Sequence, residues 1–137
     1  MQNVFVYGTL RAGEINDIRE AAARHDIEEP TLIGSTAVRG RLFDFGAYPG
    51  LVVDDETGIE VRGDVYEIDD ALVAVLDEIE EIYPGVEGLF RAHEVTVDVD
   101  GDAVTCRFYP VGKDAVRGLP EIGGGDWVAH RRAMKRR

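Results

Sequence analysis

The sequence predicts a mixed α/β domain of the α+β kind, one sheet of short strands with helices flanking it. Three observations carry this. Val4-Phe5-Val6-Tyr7 is an unbroken β-branched and aromatic run closed by Gly8, the pattern of a short strand buried on both faces. Leu72, Val75, Leu76 and Ile79 recur at i, i+3, i+4 and i+7, the spacing of a helix with one core-facing stripe. Asp100-Gly101 separates two runs of alternating apolar residues, a strong hairpin signal.

The Val4–Tyr7 strand belongs at the centre of the sheet, because both its faces are apolar. At Gly8 the chain turns, and a residue without Cβ lets another group approach the main chain closely. The N–H groups that follow such a turn can bind a carboxylate or a developing oxyanion. Arg11 and Asn16 flank this loop and could orient a polar ligand, although exposed polar residues beside a turn are commonly just solvated. A short helix is expected over Ile15–Arg24, with a narrow stripe of Ile15, Ile18, Ala21 and Ala22.

Past Pro30, strands are expected at Thr31–Val38, running to Gly40, and separately at Leu42–Phe45, closed by Gly46; a turn and a third strand follow at Tyr48–Val53. Ile59–Val65 alternates apolar and polar residues, and Gly63 inside it marks either a bulge or close packing of a neighbour. Asp69 or Asp70 can cap the Leu72–Ile79 helix. The far end of that helix carries Asp77, Glu78, Glu80 and Glu81. Asp77 and Glu81 fall away from the apolar stripe, whereas Glu80 lies about 40° from Leu76 on the helical wheel and points most nearly toward protein. A carboxyl there, at the negative end of the helix dipole, would have a raised pKa suited to proton transfer. The competing reading is an acidic helix end on an acidic protein. Phe90–Val99 reads as a strand whose apolar parity shifts near His93-Glu94, which predicts a bulge, and the hairpin returns through Val104, Cys106 and Phe108. Gly123-Gly124-Gly125 reads as a flexible hinge before a last helix capped by Asp126 and running from Trp127 to Lys135.

At 137 residues, one domain spanning 1–137 is expected, large enough for a core without staples. The single cysteine, Cys106, excludes an internal disulfide, and His25, His93 and His130 are scattered without ligand spacing, so no metal site is expected. A formal charge of −12 opposes unspecific binding to nucleic acid or an anionic membrane. No apolar run approaches the roughly 20 residues of a membrane span. Met1-Gln2-Asn3 leads straight into a strand, and a cytoplasmic location is expected. The sequence does not set the oligomeric state.

With these segments placed, the chain resembles the γ-glutamylcyclotransferase-like family, in its γ-glutamylamine cyclotransferase branch. Val6-Tyr7-Gly8-Thr9-Leu10-Arg11 resembles the family's substrate loop, with Gly13 and Asn16 matching the Gly-x-x-Asn that follows. Tyr48-Pro49-Gly50-Leu51-Val52, Gly63-Asp64-Val65-Tyr66, Leu76-Asp77-x-x-Glu80 and Gly125-Asp126-Trp127 match further motifs in order. The resemblance implies a small, curled, partly closed barrel-like sheet with flanking helices and a site at one mouth. It implies a small-molecule γ-glutamyl substrate bound by Tyr7, Gly8, Thr9 and Leu10, and Glu80 as the general acid/base of a cofactor-independent cyclisation to 5-oxoproline. Two positions depart from the pattern. Glu81 stands where many relatives have glycine, and Phe90 precedes Arg91 where tyrosine is usual. Both put substrate choice in question, and they leave open a different class of function, a non-catalytic protein that binds a small metabolite with the same fold.

Overall fold

The computed structural model describes residues 1–11, 13–14, 17–46, 48–54, 56–81 and 92–135, with only the main chain of Ile79, Glu80, Glu81 and Lys135. The elements in chain order are β1 (Gln2–Val6), α1 (Ile18–Arg24), β2 (Thr31–Asp44), β3 (Pro49–Val53), β4 (Ile59–Ile68), α2 (Asp70–Glu81), β5 (His93–Val99), β6 (Asp102–Phe108) and α3 (Trp127–Lys135), with a 3₁₀ turn at Lys113–Val116. Among the described residues the strands form one six-stranded sheet in the order β3-β2-β4-β1-β6-β5. As its apolar run requires, β1 is interior, antiparallel to β4 and parallel to β6.

The two faces of β1 build two cores. Val4 and Val6 pack with Ile18 and Ala22 of α1 and with Leu72 and Leu76 of α2. Phe5 and Tyr7 face the inside of the curl, with Leu42, Leu51, Val61, Val65, Phe108 and Trp127. Each fully buried side chain of this size contributes roughly 2 kcal/mol. Among the described residues the sheet closes on itself at one end. There the Thr36 hydroxyl of β2 donates to the Asp98 carbonyl of β5 at 2.8 Å, and a Cβ on Gly34 would meet Val99 Cγ1 at 2.7 Å. At the other end, β3 and β5 part around an apolar groove of 670 Å³ lined by Val52, Val53, Val95, Phe108 and Val111, with His93, Glu94 and Lys113 among its polar residues. Because β1 and β6 are parallel, with Val4 opposite Arg107, the Tyr7 turn leaves the sheet at this open end.

Several expectations change. Thr31–Asp44 is one strand rather than two, because Gly40 is paired on both sides, to Ile59 of β4 and Val53 of β3; ladder pairing outweighs the glycine. The described part of α1 begins at Ile18, after the Asp17 side chain accepts from the Arg19 N–H; Ile15 and Asn16 lie outside the described residues. Over the described residues β5 pairs with β6 from His93 to Val99 without a register shift, so the bulge expected near His93-Glu94 does not interrupt that pairing. Residues 82–91, including Phe90, lie outside the description. Gly125 is fixed rather than a free hinge: its carbonyl accepts from the Arg62 N–H at 2.7 Å, and its φ of +68° suits glycine. The hairpin forms as expected, with Asp100 and Gly101 both at positive φ. Gly63 proves to be a site of close packing, where a Cβ would collide with the Phe5 ring at 2.6 Å.

Candidate active site

Gly8 opens a tight turn in which its carbonyl accepts from the Arg11 N–H at 3.1 Å, and the Leu10 carbonyl accepts from the Ile18 N–H at 2.9 Å. The first bond closes the turn, and the second ties it to the start of α1. Tyr7, Thr9 and Leu10 are all buried. Gly8 is required here by packing rather than by its dihedrals, since a Cβ would sit 2.7 Å from Pro49 Cγ and 2.9 Å from Pro49 Cδ. The Tyr48-Pro49-Gly50 segment is therefore the wall against which the turn rests.

Arg11 braces the turn from behind. Its Nε donates to Asp64 Oδ2 at 3.1 Å and its guanidinium also donates to Asp126 Oδ1 at 3.2 Å. Asp64 is in reach because it lies opposite Val6 in the β1–β4 ladder, and its second oxygen accepts from the Ser35 hydroxyl at 2.8 Å. Asp126 also caps α3 by accepting from the Ala129 N–H at 3.1 Å. Arg11, read from sequence as a possible ligand contact, is thus engaged by two carboxylates of the protein. A further pair, Arg131 to the buried Glu14 at 2.7 Å, fastens the descending loop to α3. At Asp17 burial would raise the carboxyl pKa, but hydrogen bonds from Arg19 and the Gly13 N–H outweigh it and hold the pKa low.

The Tyr7 hydroxyl donates to the Tyr109 carbonyl at 2.7 Å and accepts from the Leu51 N–H at 3.2 Å. The side chain of Tyr109 reaches α2: its hydroxyl donates to Asp77 Oδ1 at 2.6 Å, and Arg107 grips both Asp77 oxygens at 2.9 and 2.7 Å. Burial first, then the Asp77 bond, hold the Tyr109 phenol well above the usual tyrosine range, so it stays a neutral donor. Burial works against the Arg107 charge, yet its bonds to Asp77 and Tyr109 win and its pKa is raised. Asp77, expected on the side of α2 away from its apolar stripe, is thus held by other groups of the protein rather than simply solvated. A cation from β6 and a hydroxyl from the residue just beyond it converge on this carboxylate. The available signal was Arg107, a charged residue inside an apolar strand and next to two aromatics.

Tyr7, Gly8, Thr9 and Leu10 thus come together in one braced turn. Glu80 lies on the last turn of α2, one turn beyond Asp77, with its side chain outside the described residues; the departures at Glu81 and Phe90 fall outside them too.

A curled half-barrel of six strands with α1 and α2 on its outer face, and a braced glycine turn at its open end, defines the class of protein. The family model described as "Gamma-glutamyl cyclotransferase, AIG2-like" matches residues 4–129, and the chain belongs to that family. It is 37% identical over 105 residues to the γ-L-glutamyl-butirosin B γ-glutamyl cyclotransferase of Niallia circulans, covering 74% of this chain and 61% of that protein. It is 31% identical to the Escherichia coli family protein YtfP, over 91% of this chain and 95% of YtfP. Among solved structures, a mouse AIG2-like protein superposes with a TM-score of 0.74 at 25% identity, covering 93% of this chain and 88% of that one. Bacillus subtilis YkqA superposes with a TM-score of 0.72 at 27% identity, although the chain spans only 43% of it. The chain thus spans less than two thirds of YkqA and of the butirosin enzyme.

Proposed function

We propose that this chain is a cofactor-independent γ-glutamyl cyclotransferase acting on a small γ-glutamyl compound. The substrate's α-amine attacks its own γ-carbonyl; the new C–N bond closes a five-membered ring, the old amide C–N bond breaks, and 5-oxoproline leaves with a free amine or amino acid. Glu80 takes one proton from the attacking nitrogen and returns one to the departing nitrogen, so the carboxylate is regenerated. The turn of Tyr7, Gly8, Thr9 and Leu10 holds the substrate's carboxylate or the carbonyl oxygen as it becomes an oxyanion. Ring closure needs no external nucleophile, so most of the protein's task is to hold the substrate folded.

The observation that carries this reading is the bracing of the turn by Pro49, Asp64 and Asp126, which supplies the rigidity that preorganised donors require. The name of the Niallia relative supports a γ-glutamyl substrate. The test is incubation of purified protein with a panel of γ-glutamyl amines, γ-glutamyl amino acids and γ-glutamyl-ε-lysine, scoring 5-oxoproline by mass spectrometry. Product from at least one member is expected. Tight binding without product from any member would instead identify a binding protein.

A further inference from the structure

We propose that Asp77, Arg107 and Tyr109 form a clamp that positions Glu80 for the reaction, a role resting on the reading of Glu80 as the base. The last turn of α2 needs such a device. It contains no basic residue and is rich in acidic ones, a composition that the negative end of the helix dipole disfavours. The missing cation comes from β6. Arg107 pairs with both oxygens of Asp77, and Tyr109 adds a hydrogen bond to the same carboxylate. The guanidinium carbon also lies 5.9 Å from the centre of the Tyr109 ring, so stacking and hydrogen bonding reinforce one another.

Two of the bonds that Tyr109 makes lead to the two halves of the site. Its carbonyl receives the Tyr7 hydroxyl at the mouth of the substrate turn, and its hydroxyl holds Asp77 on α2. Glu80 follows Asp77 by three residues, so the two lie on neighbouring positions of one helical face. A shift of that turn would carry the base away from a turn fixed to the sheet. Misplacement of about 1 Å is enough to cost as much as 10² in rate. Asp77, Arg107 and Tyr109 are positioning residues in this account; none needs to touch substrate.

The test is a double-mutant cycle. Tyr109→Phe removes only the hydroxyl and keeps the carbonyl that receives Tyr7. Asp77→Asn keeps the shape and serves where Tyr109→Phe proves unstable. Each is introduced into the wild-type chain and into Glu80→Gln, and kcat and KM for 5-oxoproline release are measured well below the melting temperature. In the wild-type background kcat should fall about tenfold with KM within twofold, a partial loss of geometric alignment. In the Glu80→Gln background the same change should cost less than twofold, because there is no base left to misplace. Equal losses in both backgrounds would overturn the clamp, as would an unchanged kcat in Tyr109→Phe and Asp77→Asn while Glu80→Gln is impaired; that second result would leave the base reading standing. Full activity in Glu80→Gln would remove both the base and the clamp that serves it.

Discussion

The Tyr7 hydroxyl donates to the Tyr109 carbonyl and accepts from the Leu51 N–H, so one buried phenol joins β1, β3 and the segment after β6. Tyr7→Phe would leave a carbonyl and an N–H without this partner. A stability loss of about 1–3 kcal/mol is expected, the cost of unsatisfied buried polar groups. Urea unfolding checks it; a midpoint equal to that of the wild type would mean that water replaces the hydroxyl.

Arg11 is paired with Asp64 and Asp126 at side-chain exposures of 17%, 12% and 29%. Arg11→Met would strand Asp64 in a largely closed site and is expected to cost about 3 kcal/mol. Arg11→Met with Asp64→Leu should be less destabilised than Arg11→Met alone, because the second change removes the orphaned charge. Thermal unfolding of the two variants decides. A double variant as unstable as the sum of its parts would contradict the pairing.

Gly8→Ala places a methyl group against the Pro49 ring. Because a proline ring cannot rotate aside, the turn has to move, at a cost of about 1–3 kcal/mol. A weaker substrate KM should accompany it. Normal binding and stability in this variant would show that the turn does not rest on Pro49.

Cys106 is 1% exposed, and burial pushes its thiol pKa up to about 11. At pH 8 the thiol is therefore protonated as well as shielded, and only the thiolate reacts. Native protein should resist iodoacetamide at pH 8 and label fully in guanidinium. Rapid labelling of the native protein, or loss of turnover on thiol modification, would contradict this placement.

How much of this was legible follows from how local each signal is. The apolar run at Val4–Tyr7, the i, i+3, i+4 stripe of α2 and the Asp100-Gly101 turn are each written within a dozen residues, and each appears in the fold. The motifs around Gly8, Pro49, Asp64 and Asp126 were visible as a family resemblance, but their reasons were not. Asp64 acquires its role only because the β1–β4 register sets it beside Val6, within reach of Arg11. The partners of Asp77 are hidden from the sequence for the same reason. A helical wheel gives its direction but cannot reveal that Arg107 and Tyr109, some thirty residues on, arrive at that point. The continuity of β2 through Gly40 likewise depends on partners at Ile59 and Val53.

In the proposed reaction Glu80 moves the proton. Asp77 is no neutral control for it, since it holds Arg107 and Tyr109; the exposed Glu78, on the same helix end, is. The most direct measurement is kcat of Glu80→Gln beside Glu78→Gln on a γ-glutamyl compound that the wild type cyclises, with circular dichroism confirming each fold. Glu80→Gln should lose roughly 10²- to 10⁴-fold in kcat with a small change in KM, as expected for a missing general base. Glu78→Gln should stay within a few-fold of the wild type. Equal rates in the two variants would contradict the assignment.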